Sequence, residues 1–269
     1  MIRRKFAVIT GASTGIGFEL ASVAATEGYD LLVVANEPLI EAAAADFGLH
    51  GTEVRWIEAD LSTTEGVDRL LAAAEGRPVD VLCANAGAGH GNAFLDQTFD
   101  QVRLTIDTNI TGTVYLLHRV MRAMVARGAG KVLVTGSIAG YVPGAFNATY
   151  NATKAFIDNF TDAVRNELHD TQGVTLTTLM PGATETEFFD RADMLETAVG
   201  KAKKGDPAKV ARVGWDALIE GAATIVPGFM NKVIVATSGL VPPPLLAAMH
   251  RQMAEPPVEQ QPGSAPHDR

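Results

Sequence analysis

One cysteine, Cys83, occurs in the 269 residues. A single thiol cannot close an internal disulfide, so a small secreted fold held by such staples is excluded. Lying in an apolar run, Cys83 reads as a small buried residue on a strand. Positive charge is scarce too: 22 Lys and Arg stand against 31 Asp and Glu, for a net charge of −9. The longest basic run is Arg3-Arg4-Lys5, so a nucleic-acid partner is not expected. The six histidines (His50, His90, His118, His169, His250 and His267) show no ligand-like spacing, and no metal is expected. Long apolar runs are missing as well. The apolar start at Phe6 breaks at Thr10-Gly11, too soon for the core of a signal peptide. The run from Val233 to Met249 is interrupted by Ser238, Gly239 and Pro242-Pro243-Pro244, and a spanning helix needs about 20 mostly apolar residues. No membrane insertion and a cytoplasmic location are therefore the expectations. Internal repeats and dividing linkers are also lacking. Only Glu255–Arg269, rich in Pro, Gln and Ser, reads as a disordered tail. Residues 1–254 read as a single domain.

What is present is an alternation of strands and helices. Phe6–Thr10, Asp30–Ala35, Val54–Ala59, Val79–Ala84, Lys131–Thr135 and Val174–Met180 are short apolar runs, with Thr224–Val226 as a candidate last strand. Helical patterns lie between them at Gly15–Gly28, Pro38–Phe47, Thr63–Ala74, Phe99–Arg127, Tyr150–Leu168 and Ala208–Glu220. Near-continuous apolar strands alternating with helices predict a parallel sheet covered on both faces, an α/β doubly wound fold. Thr186–Gly205 breaks the pattern and reads as a mobile excursion with a short amphipathic helix.

At the first strand-to-helix junction stands Thr10-Gly11-Ala12-Ser13-Thr14-Gly15-Ile16-Gly17. Gly11 suits a tight turn, Gly15 lets a ligand approach the backbone, and Gly17 permits close packing of helix on strand. The helix start offers free N–H groups to a phosphate. Asp60 follows the third strand and Asn85-Ala86-Gly87 the fourth, at the carboxyl edge where open α/β sheets bind ligands. Tyr150 and Lys154 are spaced i, i+4 and share one face of a helix. An ammonium ~4 Å from a phenol is worth ~4 kcal/mol at an effective dielectric of ~20, about three pKa units toward the phenolate. That would prepare a tyrosine for acid/base work near neutrality. Ser137 ends the fifth strand, and Asn109 lies inside the long helical stretch, where it could bend the helix or bind water. Each residue alone has an ordinary structural explanation; the combination and order carry the signal.

These pieces, with PGATET at 181–186, resemble the short-chain dehydrogenase/reductase family in its short single-domain form, from about Lys5 to Phe189 and more loosely to Met230. The resemblance implies a Rossmann-like sheet of order 3-2-1-4-5-6-7 and a homodimer or homotetramer built through the long helices. It implies Tyr150 as proton donor or acceptor, Lys154 on the nicotinamide ribose, Ser137 orienting the substrate oxygen, and Asn109 anchoring a water-linked proton relay. The cofactor, NAD(P)(H), would meet Gly11, Ser13, Thr14, Gly15, Ile16 and Gly17, then Asn36, Glu37, Asp60 and Leu61. It would continue past Asn85, Ala86 and Gly87 to Tyr150, Lys154, Pro181, Gly182, Thr184 and Thr186. The family's usual aspartate for NAD is replaced by Asn36, and its usual basic residues for NADP are missing. Glu37 would repel a 2′-phosphate, so the lean is to NAD(H) over NADP(H).

The substrate segments carry Phe94, Tyr141, Phe146, Phe188, Phe189 and Met194 around Ser137, with 183–205 as a lid. Such a pocket suits a small hydrophobic ketone or secondary alcohol. Leu245–Met253 reads as a lid, a subunit contact or a membrane-facing patch, with subunit packing preferred. The competing readings are a catalytically silent NAD(P)-binding sensor or scaffold, and epimerisation of a nucleotide sugar, for which the chain has little room.

Overall fold

A computed structural model describes residues 3–257 of the chain; the tail expected at 255–269 therefore lies almost wholly outside the described residues. Seven parallel strands form one sheet: β1 (Phe6–Thr10), β2 (Asp30–Ala35), β3 (Val54–Glu58), β4 (Val81–Ala84), β5 (Gly130–Thr135), β6 (Val174–Leu179) and β7 (Thr224–Ile225). Their order is β3-β2-β1-β4-β5-β6-β7. This is the predicted doubly wound topology, and its order reverses between β1 and β4, where Ala7 pairs with Val81.

Alternate residues of each strand feed two cores. Ile9, Val33, Cys83 and Leu133 face one side, packed by α1 (Gly15–Thr26), α2 (Leu39–Gly48) and α9 (Pro207–Glu220), with Trp215 fully buried among them. Val8, Val34, Leu82 and Val134 face the other side, under α3 (Thr64–Ala73), α5 (Thr113–Arg127) and α6 (Ala148–Glu167). Double-sided burial is why the central strands read as unbroken apolar runs. The edge strand β3 is partly exposed, and Trp56 faces solvent. Cys83 is buried, as expected, and burial pushes its thiol pKa up, away from reactivity.

The long helical stretch is not uniform. α4 (Phe99–Ile106) starts with a capping box at Thr98 and Gln101. It runs into a π-helical turn at Asp107–Gly112 and then into α5. Asn109 sits in that turn, buried, so the wide turn aims a polar side chain inward. The excursion after β6 holds two short helices, α7 (Phe188–Arg191) and α8 (Ala198–Lys201). The segment interrupted by prolines forms α10 (Phe229–Ser238) and α11 (Pro243–Ala254). Among the described residues no helix is long and apolar enough to cross a membrane.

Candidate active site

A cavity of about 770 Å³ runs along the carboxyl edge of the sheet. One end is floored by the β1–α1 loop. Gly11 and Gly15 adopt the left-handed conformation there, and a Cβ on Gly15 would press within 2.9 Å of the Thr186 methyl. Behind them a Cβ on Gly17 would collide with the Gly11 carbonyl oxygen, so the helix can lie this close to the strand only with glycine. Thr14 caps α1 without a side-chain hydrogen bond, and the first turn holds no acidic residue. The leading N–H groups of α1 thus face the cavity with their partial positive charge intact.

Asn85 ties three strand ends together: its side-chain N–H donates to the Thr10 carbonyl at 3.2 Å, and its Oδ1 accepts from Thr135 Oγ1 at 3.0 Å. The same side chain reaches the Gly11 carbonyl at 3.4 Å. Its work is to hold the crevice at the topological switch point in shape. Asp60 begins a turn by accepting from the Ser62 N–H at 2.9 Å. Asp60, Leu61, Asn36, Ser13, Thr14 and Ile16 line the same end of the cavity. Glu37 stands just behind this wall. It accepts a hydrogen bond from Ser13 and pairs with Arg191 of α7 at 2.9 Å. Arg191 also lines the cavity and reaches Thr14 Oγ1 at 3.4 Å, so an ion pair bridges α7 and the end of the cavity floored by the β1–α1 loop.

Midway along the cavity Ser137 lies with Tyr150 and Lys154, which share one face of α6 as their i, i+4 spacing predicts. Ser137 leaves β5 in extended backbone, accepts from the Ala139 N–H at 3.1 Å and reaches the Pro181 carbonyl at 3.4 Å. Lys154 is buried and donates to the Thr135 carbonyl at 2.8 Å, with Nζ 5.7 Å from the Tyr150 ring centre. The expected pull of this ammonium on the phenol does not dominate. Burial raises the Tyr150 pKa to about 12, opposed by the Ser137 hydroxyl, and burial lowers Lys154 to about 8. Desolvation works against both charged forms, and it outweighs the attraction expected from the helical spacing alone.

Asn109 lies behind the cavity wall. Its Oδ1 accepts from the Ala88 N–H, and its amide donates to the Ala88 carbonyl and to Thr153 Oγ1, all at 2.8 Å. It therefore clamps the loop after β4 to α6. Gly87 fits between Asn109 and Lys154, where a Cβ would sit 3.3 Å from Asn109 Oδ1.

Beyond Tyr150 the wall turns apolar. Phe188 stacks at a tilt on Tyr150 with ring centres 4.8 Å apart, and Phe189 of α7 and Met194 beyond it follow along the wall. Pro181, Gly182, Thr184 and Thr186 connect β6 to α7 along the wall. Three expected pocket residues lie off the wall. Phe94 sits on a one-turn 3-10 helix and is 55% exposed. The Tyr141 hydroxyl points away to the Met180 sulfur at 3.7 Å. Phe146, held at φ 63°, packs against the cluster of Phe189, Ala192 and Met194 under the Arg251 guanidinium. The wall also includes His90 and Leu104, with Ile234 from α10, Val241 from the segment between α10 and α11, and Leu246 and Met253 from α11, none of which the sequence singled out by name. α11 thus contributes a cavity wall rather than only the subunit contact preferred from sequence. Among the described residues no cluster of three His, Cys, Asp or Glu side chains is arranged to hold a metal ion.

Comparison with known proteins agrees with this geometry. A 3-dehydrosphinganine reductase of Arabidopsis thaliana is 28% identical over 252 residues, 90% of this chain and 75% of its own. A 3-oxoacyl-[acyl-carrier-protein] reductase of Vibrio harveyi is 29% identical over 220 residues, 77% of this chain and 86% of its own. The solved structure of a short-chain dehydrogenase from Sphingobium yanoikuyae in complex with NADPH superimposes with a TM-score of 0.78 at 26% identity, covering 88% of this chain and 94% of that one. The family model described as short chain dehydrogenase matches residues 5–196. The chain belongs to the short chain dehydrogenase family.

Proposed function

We propose that this protein is an NAD(P)-dependent oxidoreductase that interconverts a ketone and a secondary alcohol on a hydrophobic small molecule, with Tyr150 as the acid/base. The observation that carries this reading is the continuous cavity that joins an uncapped helix start to Ser137, Tyr150 and Lys154. The dinucleotide fits this chain's residues. The unpaired N–H groups of α1 suit a pyrophosphate, Asn36, Asp60 and Leu61 suit the adenosine, and Pro181 to Thr186 suit the nicotinamide end. When bound, the nicotinamide supplies or accepts the hydride.

The protein's part is placement and proton handling. Ser137 would donate its hydroxyl hydrogen to the substrate oxygen and hold it beside the Tyr150 phenol. With its pKa near 12, that phenol is protonated at neutral pH, the form needed to donate to an alkoxide developing during ketone reduction. Lys154 remains largely charged below about pH 8 and would stabilise negative charge on the phenol oxygen. Asn109 would act through the Ala88 loop, fixing the wall opposite Tyr150. Phe188 shields the phenol on the lid side, which strengthens local electrostatics by excluding water.

For the substrate, the apolar wall from Phe188 to Met253 supports a molecule with a long hydrocarbon arm beside its carbonyl, and the reductase names of the two relatives fit that class. NAD(H) is favoured over NADP(H), because Glu37 stands where a 2′-phosphate would bring further negative charge. A homodimer or homotetramer would use the outer faces of α5 and α6, where Val125 and Phe156 are exposed. The test is absorbance at the reduced-nicotinamide band, with NADH and NADPH against hydrophobic ketones and NAD and NADP against the matching alcohols. Turnover that vanishes in Tyr150→Phe supports the proposal; tight cofactor binding with no turnover across the panel favours a silent NAD(P)-binding sensor instead.

A further inference from the structure

Asp158 lies on α6, four residues beyond Lys154 and eight beyond Tyr150, so all three fall along one helix face. It is 6% exposed, and neither carboxylate oxygen has a hydrogen-bond partner. The Ser137 backbone N–H faces the carboxylate and favours its charge, without closing a well-formed hydrogen bond. An unpaired carboxylate is costly to bury. Yet the surrounding backbone is shaped to hold this one. A Cβ on Gly136 would collide with Oδ1, and a Cβ on Gly140 would come within 2.5 Å of Oδ2. Gly136 precedes Ser137 and Gly140 lies within the 3-10 turn that Ser137 caps, so the carboxylate is packed beneath the backbone that presents the serine. The charged and titratable groups that act with it are few. Lys154 and Asp162 come from its own helix, Tyr150 from the cavity end of that helix, and Tyr141 from the 3-10 turn. Asp162 is paired with Arg165, so Lys154 is the cation that Asp158 acts on most directly.

We propose that Asp158 is a positioning residue of this site: a buried negative charge that keeps Lys154 an ammonium and sets the pH window in which Tyr150 exchanges its proton. The proposal rests on the roles assigned above to Tyr150 and Lys154. Burial drives Lys154 toward its neutral form, and the Asp158 anion opposes that drive. The same anion disfavours the Tyr150 phenolate, which raises the phenol's proton affinity. Asp158 therefore holds both proton affinities up together. Removing its charge should move both down, and the pH dependence of turnover should slide toward acid as a unit rather than narrow on one side.

The test uses the full-length protein with Asp158 changed to Asn, a neutral near-isostere, and separately to Ser. Tyrosine carrying 13C at Cζ reports the phenol's titration by NMR, with the Tyr150 resonance identified from its absence in Tyr150→Phe. A fall of about one pH unit in the Tyr150 midpoint, with an equal or larger acid shift in the kcat profile for ketone reduction by NADH or NADPH, is the expected result. A Tyr150 midpoint unchanged in both variants overturns the proposal. So does failure of both variants to fold, since the carboxylate would then be structural. Full turnover in Tyr150→Phe would overturn the assignment of Tyr150 instead, and the NMR midpoint would still judge Asp158 on its own.

Discussion

Changing Glu37 to Gln should raise the efficiency with NADP relative to NAD. The carboxylate pairs with Arg191 at 2.9 Å and accepts from Ser13, with about a quarter of its side chain exposed (23%). A 2′-phosphate carries about 1.5 to 2 negative charges. At ~5 Å and an effective dielectric of ~60, between bulk water and a buried site, repulsion by one carboxylate is about 2 kcal/mol. The neutral amide would remove that repulsion, keep an oxygen for Ser13, and release Arg191 from its ion pair. The freed guanidinium could then face the added phosphate, as arginine does well. Both changes act in the same direction, so the ratio of NADP to NAD kcat/KM should rise about 10- to 100-fold. Initial rates with both cofactors, taken at low and high salt, provide the assay, because an electrostatic effect of this kind shrinks as salt increases. A ratio unchanged within about threefold, or one insensitive to salt, would refute the reasoning and place selectivity elsewhere on the adenosine wall.

Other substitutions follow from the same geometry. Tyr150→Phe should lower kcat by about 10²- to 10⁴-fold while leaving the Kd for the cofactor within a few-fold, measured by nucleotide fluorescence. Gly17→Ala forces a methyl against the Gly11 carbonyl and should cost about 1–3 kcal/mol, lowering Tm by roughly 3–10 °C in a thermal melt. Leu246→Ala removes apolar wall from the substrate end; KM for a long-chain ketone should rise about tenfold, with little change for a short one.

The sheet was legible because six of its strands are apolar runs bounded by turn residues, and because βα alternation leaves few ways to order them. The glycine loop, Ser137, Tyr150 and Lys154 were legible for a related reason: each sits at a strand end or on a helix face whose geometry is set locally. What escaped depends on contacts distant in sequence. Arg191 meets Glu37 across 154 positions, and no local pattern announces that pair. The π turn around Asn109 is a small change of helical register inside an otherwise regular pattern. α10 and α11 were obscured by Ser238, Gly239 and the three prolines, which read as interruption although Ser238 ends α10 and Pro243 and Pro244 form the first turn of α11. Phe94, Tyr141 and Phe146 show the converse error: aromatic residues near the site were assigned to the pocket, while the backbone turns them outward or onto the Phe189–Met194 cluster. Asp158 was missed because a carboxylate on a helix is ordinarily a solvated surface group, and only the glycines at 136 and 140 reveal its slot.

That slot makes a prediction about stability that separates a functional carboxylate from a structural one. Burial raises the Asp158 pKa to about 7, partly offset by Lys154, whereas an unfolded aspartate titrates near 4. A group whose pKa is raised in the folded state contributes most below its unfolded pKa. For Asp158 that contribution is lost as the pH climbs from about 4 through 7, and above 7 the fold carries an ionised, unbonded carboxylate. Lys154, lowered from 10.5 to about 8, acts in the opposite sense: the penalty for its buried charge builds as pH falls from 10.5 through 8. At roughly pH 7.5 both groups are substantially charged, and their mutual attraction offsets only part of the two burial costs. Asp158→Asn removes one of those costs but also the attraction, so its net effect is the difference between two opposed quantities. Since neither oxygen makes a hydrogen bond, little direct bonding is lost, and the variant should be at least as stable as the parent at about pH 8 and lose that advantage by about pH 5. Denaturant melts at both pH values measure this. A variant that is less stable at both, by more than about 2 kcal/mol, would mean that Asp158 holds the Ser137 turn in place. A variant that is as stable or more so, yet works at lower pH, would mean that the chain retains a costly buried charge for what it does to Lys154 and Tyr150.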